Sequence, residues 1–160
     1  MKQNEMFASA KWVCAGAYTQ LNPDRPDPAG LPHFPILRGH FTAHDVNKAV
    51  IRVIGFGFFH CYINGQEITA DQFLPLSTDF EPRRSCPSGE IVTDHRIIVP
   101  EYDVTSLVRE GDNVVAVWFG GGWYTFGREG YGCAKAIYRL MIESTDGTII
   151  DVCSSTADRL

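Results

Sequence analysis

The run most suggestive of chemistry is Gly120-Gly121-Gly122-Trp123-Tyr124, followed closely by Phe126, Arg128, Glu129 and Tyr131. Adjacent glycines before an aromatic residue suit an oxyanion loop, whose backbone amides stabilise a tetrahedral intermediate. That chemistry needs a serine on a Gly-x-Ser-x-Gly elbow, and the chain has none. A phosphate cradle needs a Gly-Lys-Ser/Thr ending and a following helix, and both are missing from the pattern. A Gly-rich bend that lets the chain leave a buried strand explains the glycines without a ligand. Trp123, Tyr124, Phe126 and Tyr131 offer aromatic faces that stack on the C–H surface of a sugar, with Arg128 and Glu129 to bond its hydroxyls. The same cluster also reads as an aromatic plug between sheets or a patch that contacts another domain.

Other candidates are weaker. Asp79, Glu81, Glu90 and Asp94 share one long loop. Two carboxylates across a cleft can hydrolyse a glycoside, but acids crowded into a loop are usually solvated. With backbone carbonyls they can also hold calcium, the only cofactor the sequence suggests. His33, His40, His44, His60 and His95 lack metal-ligand spacing on a helix and read as ordinary histidines. No Ser-His-Asp or Cys-His arrangement is defensible, so no catalytic residue and no metal ligand is assigned.

The elements that must position these residues are strands. Ile36–Thr42 and Lys48–Ile54 are short runs, the second rich in Val and Ile, as a half-buried pleated surface prefers. Gly55-Phe56-Gly57 interrupts the pattern, as a bulge or a close backbone approach. Phe58–Ile63 resumes it. Asn64-Gly65 is the strongest hairpin signal, and Gln66–Ile68 returns. Arg96–Val99 is a short strand ended by Pro100. Asp103–Val108 reads as one capped helical turn, with Asp103 or Thr105 accepting from free amides. Gly111-Asp112-Asn113 turns the chain into Val114–Phe119, an unbroken apolar run expected mid-sheet with both faces covered. Ala136–Glu143 and Thr148–Val152 flank Asp146-Gly147 as a second hairpin. Residues 20–35 hold five prolines and form a loop, and 69–94 is a second, longer one. Many short strands and no long amphipathic helix predict an all-β antiparallel sandwich or jelly roll spanning 1–160 as a single domain.

Composition agrees. The 160 residues are 44% hydrophobic and 21% charged, with fifteen Gly and nine Pro to serve turns. A net charge of −5 speaks against nucleic acid as a partner and suits a neutral ligand such as a sugar. No run of about 18 apolar residues exists to span a membrane. Met1–Ala10 carries Glu5 and lacks the apolar stretch of a signal peptide. The five cysteines are odd in number and widely spaced, so free thiols in a reducing cytoplasm are expected.

One ordered set of motifs is more specific. Gly57-Phe58-Phe59-His60-Cys61-Tyr62-Ile63-Asn64-Gly65-Gln66-Glu67 is followed by Leu74-Pro75, Tyr102-Asp103-Val104-Thr105, Gly111-Asp112-Asn113-Val114-Val115 and Gly122-Trp123-Tyr124. From about Ile36 to Val152 this resembles the N-terminal domain of bacterial α-L-rhamnosidases of glycoside hydrolase family 78. Tyr-Ile-Asn-Gly and Asp-Val-Thr also occur in the sugar-binding sandwich of β-galactosidase-like enzymes, and Gly-Trp-Tyr favours the rhamnosidase type. The resemblance implies a galactose-binding-like β-sandwich. Its implied role is that of a non-catalytic accessory to an (α/α) barrel, which cleaves terminal α-L-rhamnose with inversion. The alternative it leaves is a carbohydrate-binding module for rhamnose or a related sugar. Relatives often have Gly-Asp-Gly-Trp-Tyr where this chain has Gly120-Gly121-Gly122-Trp123-Tyr124, so an acid is missing there. Relatives also continue past the position of Leu160, and a longer parent polypeptide is expected.

Overall fold

The computed structural model describes residues 6–14, 36–74, 97–120, 124 and 134–155. Among them nine strands form two antiparallel sheets. They are β1 (Val13–Cys14), β2 (Ile36–Ala43), β3 (Val46–Phe56), β4 (Phe59–Ile63), β5 (Gln66–Glu67), β6 (Glu101–Asp103), β7 (Gly111–Phe119), β8 (Lys135–Ser144) and β9 (Ile149–Cys153). The smaller sheet runs β2-β7-β4-β5. The larger runs β1-β8-β3-β6, with β9 also paired to β8. No helix among the described residues is long and apolar enough to cross a membrane.

Period-two alternation decides what lies between the sheets. Ala49, Ile51 and Val53 of β3 and Ala136, Tyr138, Leu140 and Ile142 of β8 point inward from the larger sheet. Leu37, Phe41, Phe59, Cys61, Ile63, Val115, Val117 and Phe119 meet them from the smaller one. Each fully buried large aliphatic side chain contributes about 1.5–3 kcal/mol of transfer free energy, which makes this layer the main source of stability. The sandwich expected from the strand pattern is the observed architecture.

Local chemistry sets the turns. Asn64 and Gly65 adopt φ of 52° and 81°, the left-handed pair a two-residue hairpin requires. Tyr62 then pairs Glu67, and Ile63 pairs Gln66. Asp103 Oδ1 accepts from the Thr105 amide at 3.0 Å and from the Thr105 hydroxyl at 2.7 Å, fixing the 3-10 turn Thr105–Leu107.

Three local expectations are corrected, and one of two alternatives at Gly55 is decided. β3 runs unbroken through Gly55 to Phe56, and its register irregularity sits at Val46/Lys48 instead. Gly55 is a close approach: a Cβ there would lie 2.6 Å from Phe59 Cδ1. Gly111–Asn113 is the first part of β7, because it pairs with Phe41–Ala43. Ile97–Val99 is not a strand. Ile97 and Val99 instead pack with Phe7, Ile54 and Ile137 on the outer side of the larger sheet, where a small apolar cluster wins over ladder pairing.

That outer side is also held by polar contacts. Arg52 and Arg139 are cross-strand neighbours. Arg52 Nε donates to Glu101 at 2.6 Å, and Arg139 grips Asp151 with two bonds of 2.8 Å. Both guanidinium groups reach the Met6 carbonyl at 3.5 Å, which fastens the N-terminal segment to the sheet. β1 and β9 share one edge of β8, and Ser154 joins them. Its hydroxyl donates to Lys11 O at 2.7 Å and accepts from the Tyr138 amide at 3.1 Å.

Candidate functional site

β7 is the central strand of the smaller sheet, as expected, but only one of its faces is covered. Val115, Val117 and Phe119 enter the core, whereas Trp118 is 44% exposed. The outer face is therefore built in cross-strand rows. Ile36, Trp118 and His60 form one row, and Arg38, Ala116, Tyr62 and Glu67 form the next. His60 Nδ1 is hydrogen-bonded to Glu67 Oε1 across the hairpin. The His60 ring also neighbours Trp118, with centroids 6.3 Å apart, and stacks near Tyr62 at 6.4 Å. Tyr62 is pushed above the ordinary tyrosine range, first by burial and then by the charge of Glu67.

A cavity of about 210 Å³ opens at the end of this face, lined by Phe58, His60, Trp118, Phe119 and Gly120. Its edge is defined by the Gly120 amide, which donates to Phe58 O at 2.6 Å. Phe73 continues the apolar surface, 5.9 Å from Phe58 in an edge-on contact, and is 75% exposed.

The aromatic cluster expected around Trp123 is seen in one member. Tyr124 is buried on the opposite side of the molecule, over the larger sheet, with its ring 4.7 Å from Phe56. Phe56 packs on Trp12 at 4.4 Å. Lys135 Nζ stands 5.2, 5.5 and 5.8 Å from the rings of Phe56, Trp12 and Tyr124. A cation over aromatic faces is attracted by their quadrupoles, so this group is held together electrostatically as well as by burial. Trp123, Phe126, Arg128, Glu129 and Tyr131 lie outside the described residues, as do Asp79, Glu81, Glu90, Asp94, His33 and His95.

Other polar groups are structural in their partners. His44 pairs with Glu110, which raises the His44 pKa and lowers that of Glu110 through the shared hydrogen bond. Tyr102 donates to Asp71 at 3.0 Å, and burial followed by that carboxylate pushes its pKa up to about 12. Burial pushes the Cys61 thiol up to about 12 as well, which removes it as a nucleophile. Among the described residues no group of three His, Cys, Asp or Glu side chains can hold a metal ion.

Sequence reasoning missed Trp118, His60, Tyr62 and Glu67 as one surface. The signal was the alternation in Phe59–Ile63, where His60 and Tyr62 interleave with buried residues. That alternation fixes which face of the neighbouring β7 is outside.

Residues 44–157 match the profile of the alpha-L-rhamnosidase N-terminal domain. An alpha-L-rhamnosidase of Streptomyces avermitilis is 31% identical over 109 residues, covering 64% of this chain and 9% of the relative. One from Alteromonas sp. strain LOR is 31% identical over 117 residues, covering 72% of this chain and 11% of the relative. The solved alpha-L-rhamnosidase of Dictyoglumus thermophilum superposes with a TM-score of 0.70 at 26% identity, over 92% of this chain and 16% of that one. The chain thus spans about a tenth of the length of the curated relatives it matches.

Proposed function

The chain belongs to the alpha-L-rhamnosidase N-terminal domain family, and on that premise we propose that it is the non-catalytic accessory domain of a longer hydrolase that removes terminal α-L-rhamnose. The observation that carries this reading is the family match over 44–157, together with the small share of each relative that the chain covers. A catalytic barrel in the same polypeptide would supply the acid and the base of the inverting reaction. The apolar outer surface of Ile36, Trp118 and Phe73 supports a domain that meets other matter there, since exposed clusters of this kind mark contact sites. The free thiols Cys61 and Cys153 support a reducing cytoplasm as its compartment. Hydrolysis of an aryl α-L-rhamnoside tests the reading. The longer polypeptide is expected to turn it over and this chain alone is not. Turnover by the chain alone would overturn the accessory role.

A second reading, a carbohydrate-binding module, is favoured by one specific observation: an exposed tryptophan beside a carboxylate–imidazole pair and a cavity. Titration with L-rhamnose, with and without calcium, tests it. Calcium as a cofactor rests on Asp79, Glu81, Glu90 and Asp94, and loss of binding on adding a chelator is the result that would support it.

A further inference from the structure

We propose that the outer face of the smaller sheet is a binding site for one neutral sugar ring, stacked on Trp118 and hydrogen-bonded by His60 and Glu67. This rests on the carbohydrate-binding reading and gives it a location among the described residues.

The platform is an indole on the middle strand of a sheet. Trp118 is 44% exposed although β7 has hydrogen-bonded neighbours on both sides, Ile36 at its β2 partner position and His60 at its β4 position. Its position is set by the sheet, not by a loop, and a preorganised ring loses little entropy on stacking. The cavity of about 210 Å³ beside it is open to solvent and wet. Displacing water from an aromatic wall onto which C–H groups then pack is favourable.

The polar side supplies specificity. His60 binds Glu67 through Nδ1, a bond that uses neither Nε2 nor the second carboxylate oxygen. With Nδ1–H donating to the carboxylate, both of these atoms accept, and adjacent sugar hydroxyls supply the donors. The side chains of His60 and Glu67 are 42% and 35% exposed, so the pair is open to solvent. Covering it with the apolar core of another domain would strip its water without replacement, at a cost that a hydroxyl-rich ligand avoids. Arg38 and Tyr62 in the adjoining row extend the polar rim. The net charge of −5 suits a ligand without charge.

The test is titration of the folded chain with methyl α-L-rhamnoside and with D-galactose, followed by heat and by tryptophan fluorescence. Saturable millimolar binding is expected. Trp118→Ala should weaken it at least tenfold, Trp118→Phe should retain most of it, and Glu67→Gln should weaken it severalfold. Far-UV circular dichroism confirms that each variant is folded. Binding that survives Trp118→Ala overturns this site and leaves the carbohydrate-binding reading standing. No binding of either sugar by the folded wild-type chain overturns both. If sugars are inert and Trp118→Ala lowers the melting temperature of the longer polypeptide but not of this chain, the face is a domain contact and the proposal fails.

Discussion

Asn64 and Asn113 are bonded side chain to side chain, Asn64 Nδ2 donating to Asn113 Oδ1 at 2.7 Å. The bond ties the β4–β5 hairpin to the start of β7. Asn113 is 1% exposed and also donates to the Arg109 and Gly111 carbonyls at 2.8 Å each, while accepting from the Arg109 amide. Asn64 completes the knot by donating to Leu107 O and accepting from the Val114 amide. A buried amide used on both ends is stabilising because every partner would otherwise be orphaned. Asn113→Ala is expected to cost about 3 kcal/mol, and to lower the melting temperature by roughly 6–12 °C. Urea denaturation and a thermal melt check it; an unchanged midpoint would show that water replaces the side chain.

Gly55 tests the approach of the two sheets. Its missing Cβ leaves space that the Phe59 ring occupies. Gly55→Ala is expected to destabilise by about 1–3 kcal/mol through overpacking. Combined with Phe59→Leu, the loss should be less than the sum of the two, since the smaller side chain can turn away. Strict additivity in a double-mutant cycle would refute the contact.

The His44–Glu110 pair predicts a window in pH. The folded pKa of His44 is raised, so its contribution is full below the ordinary histidine value of about 6.5 and is lost as pH rises through the raised value. The pKa of Glu110 is lowered, so its contribution is full above the ordinary glutamate value of about 4.3 and is lost as pH falls through the lowered one. The pair therefore supports the fold best between these limits. His44→Gln should flatten the alkaline side of the stability profile and leave the acid side to Asp103, Asp146 and Asp151, all lowered, and to Glu110 through its bond from the Asp45 amide. Midpoints of urea denaturation across pH give the answer.

Cys61 should be silent in the native state. With its thiol pushed up to about 12 and its side chain buried, alkylation at pH 8 is expected only after unfolding. Peptide mapping after a brief pulse of iodoacetamide, with and without urea, separates it from the other cysteines. Rapid native labelling at Cys61 would mean that β4 opens locally.

What could be read in the sequence was what local chemistry decides. Asn64-Gly65 has few conformations open to it other than a tight hairpin, and Asp103 with Thr105 forms its turn from neighbours alone. The strand runs and the sandwich followed from alternation. Val114–Phe119 defeated the same reasoning. An apolar run without alternation does not say whether one or both faces are covered, and Trp118 was assigned to the interior on that basis. Its exposure is decided by β2 and β4, which place Arg38, His40, His60 and Tyr62 on the same side. The nest around Lys135 was equally hidden, because Trp12, Phe56 and Tyr124 converge there from distant stretches of chain. The Trp123–Tyr131 segment, apart from Tyr124, lies outside the described residues and awaits the titrations above.

The bond from Ser154 to Lys11 spans a sequence separation of 143 residues. During synthesis the ribosome releases Lys11 well before Ser154. The β1 side of β8 therefore cannot be closed cotranslationally until Ser154 has emerged, and long-range closure of this kind is intrinsically slow. A nascent chain stalled short of Ser154 should present β8 with an unsatisfied edge, the state in which chaperone capture or edge-to-edge aggregation competes with folding.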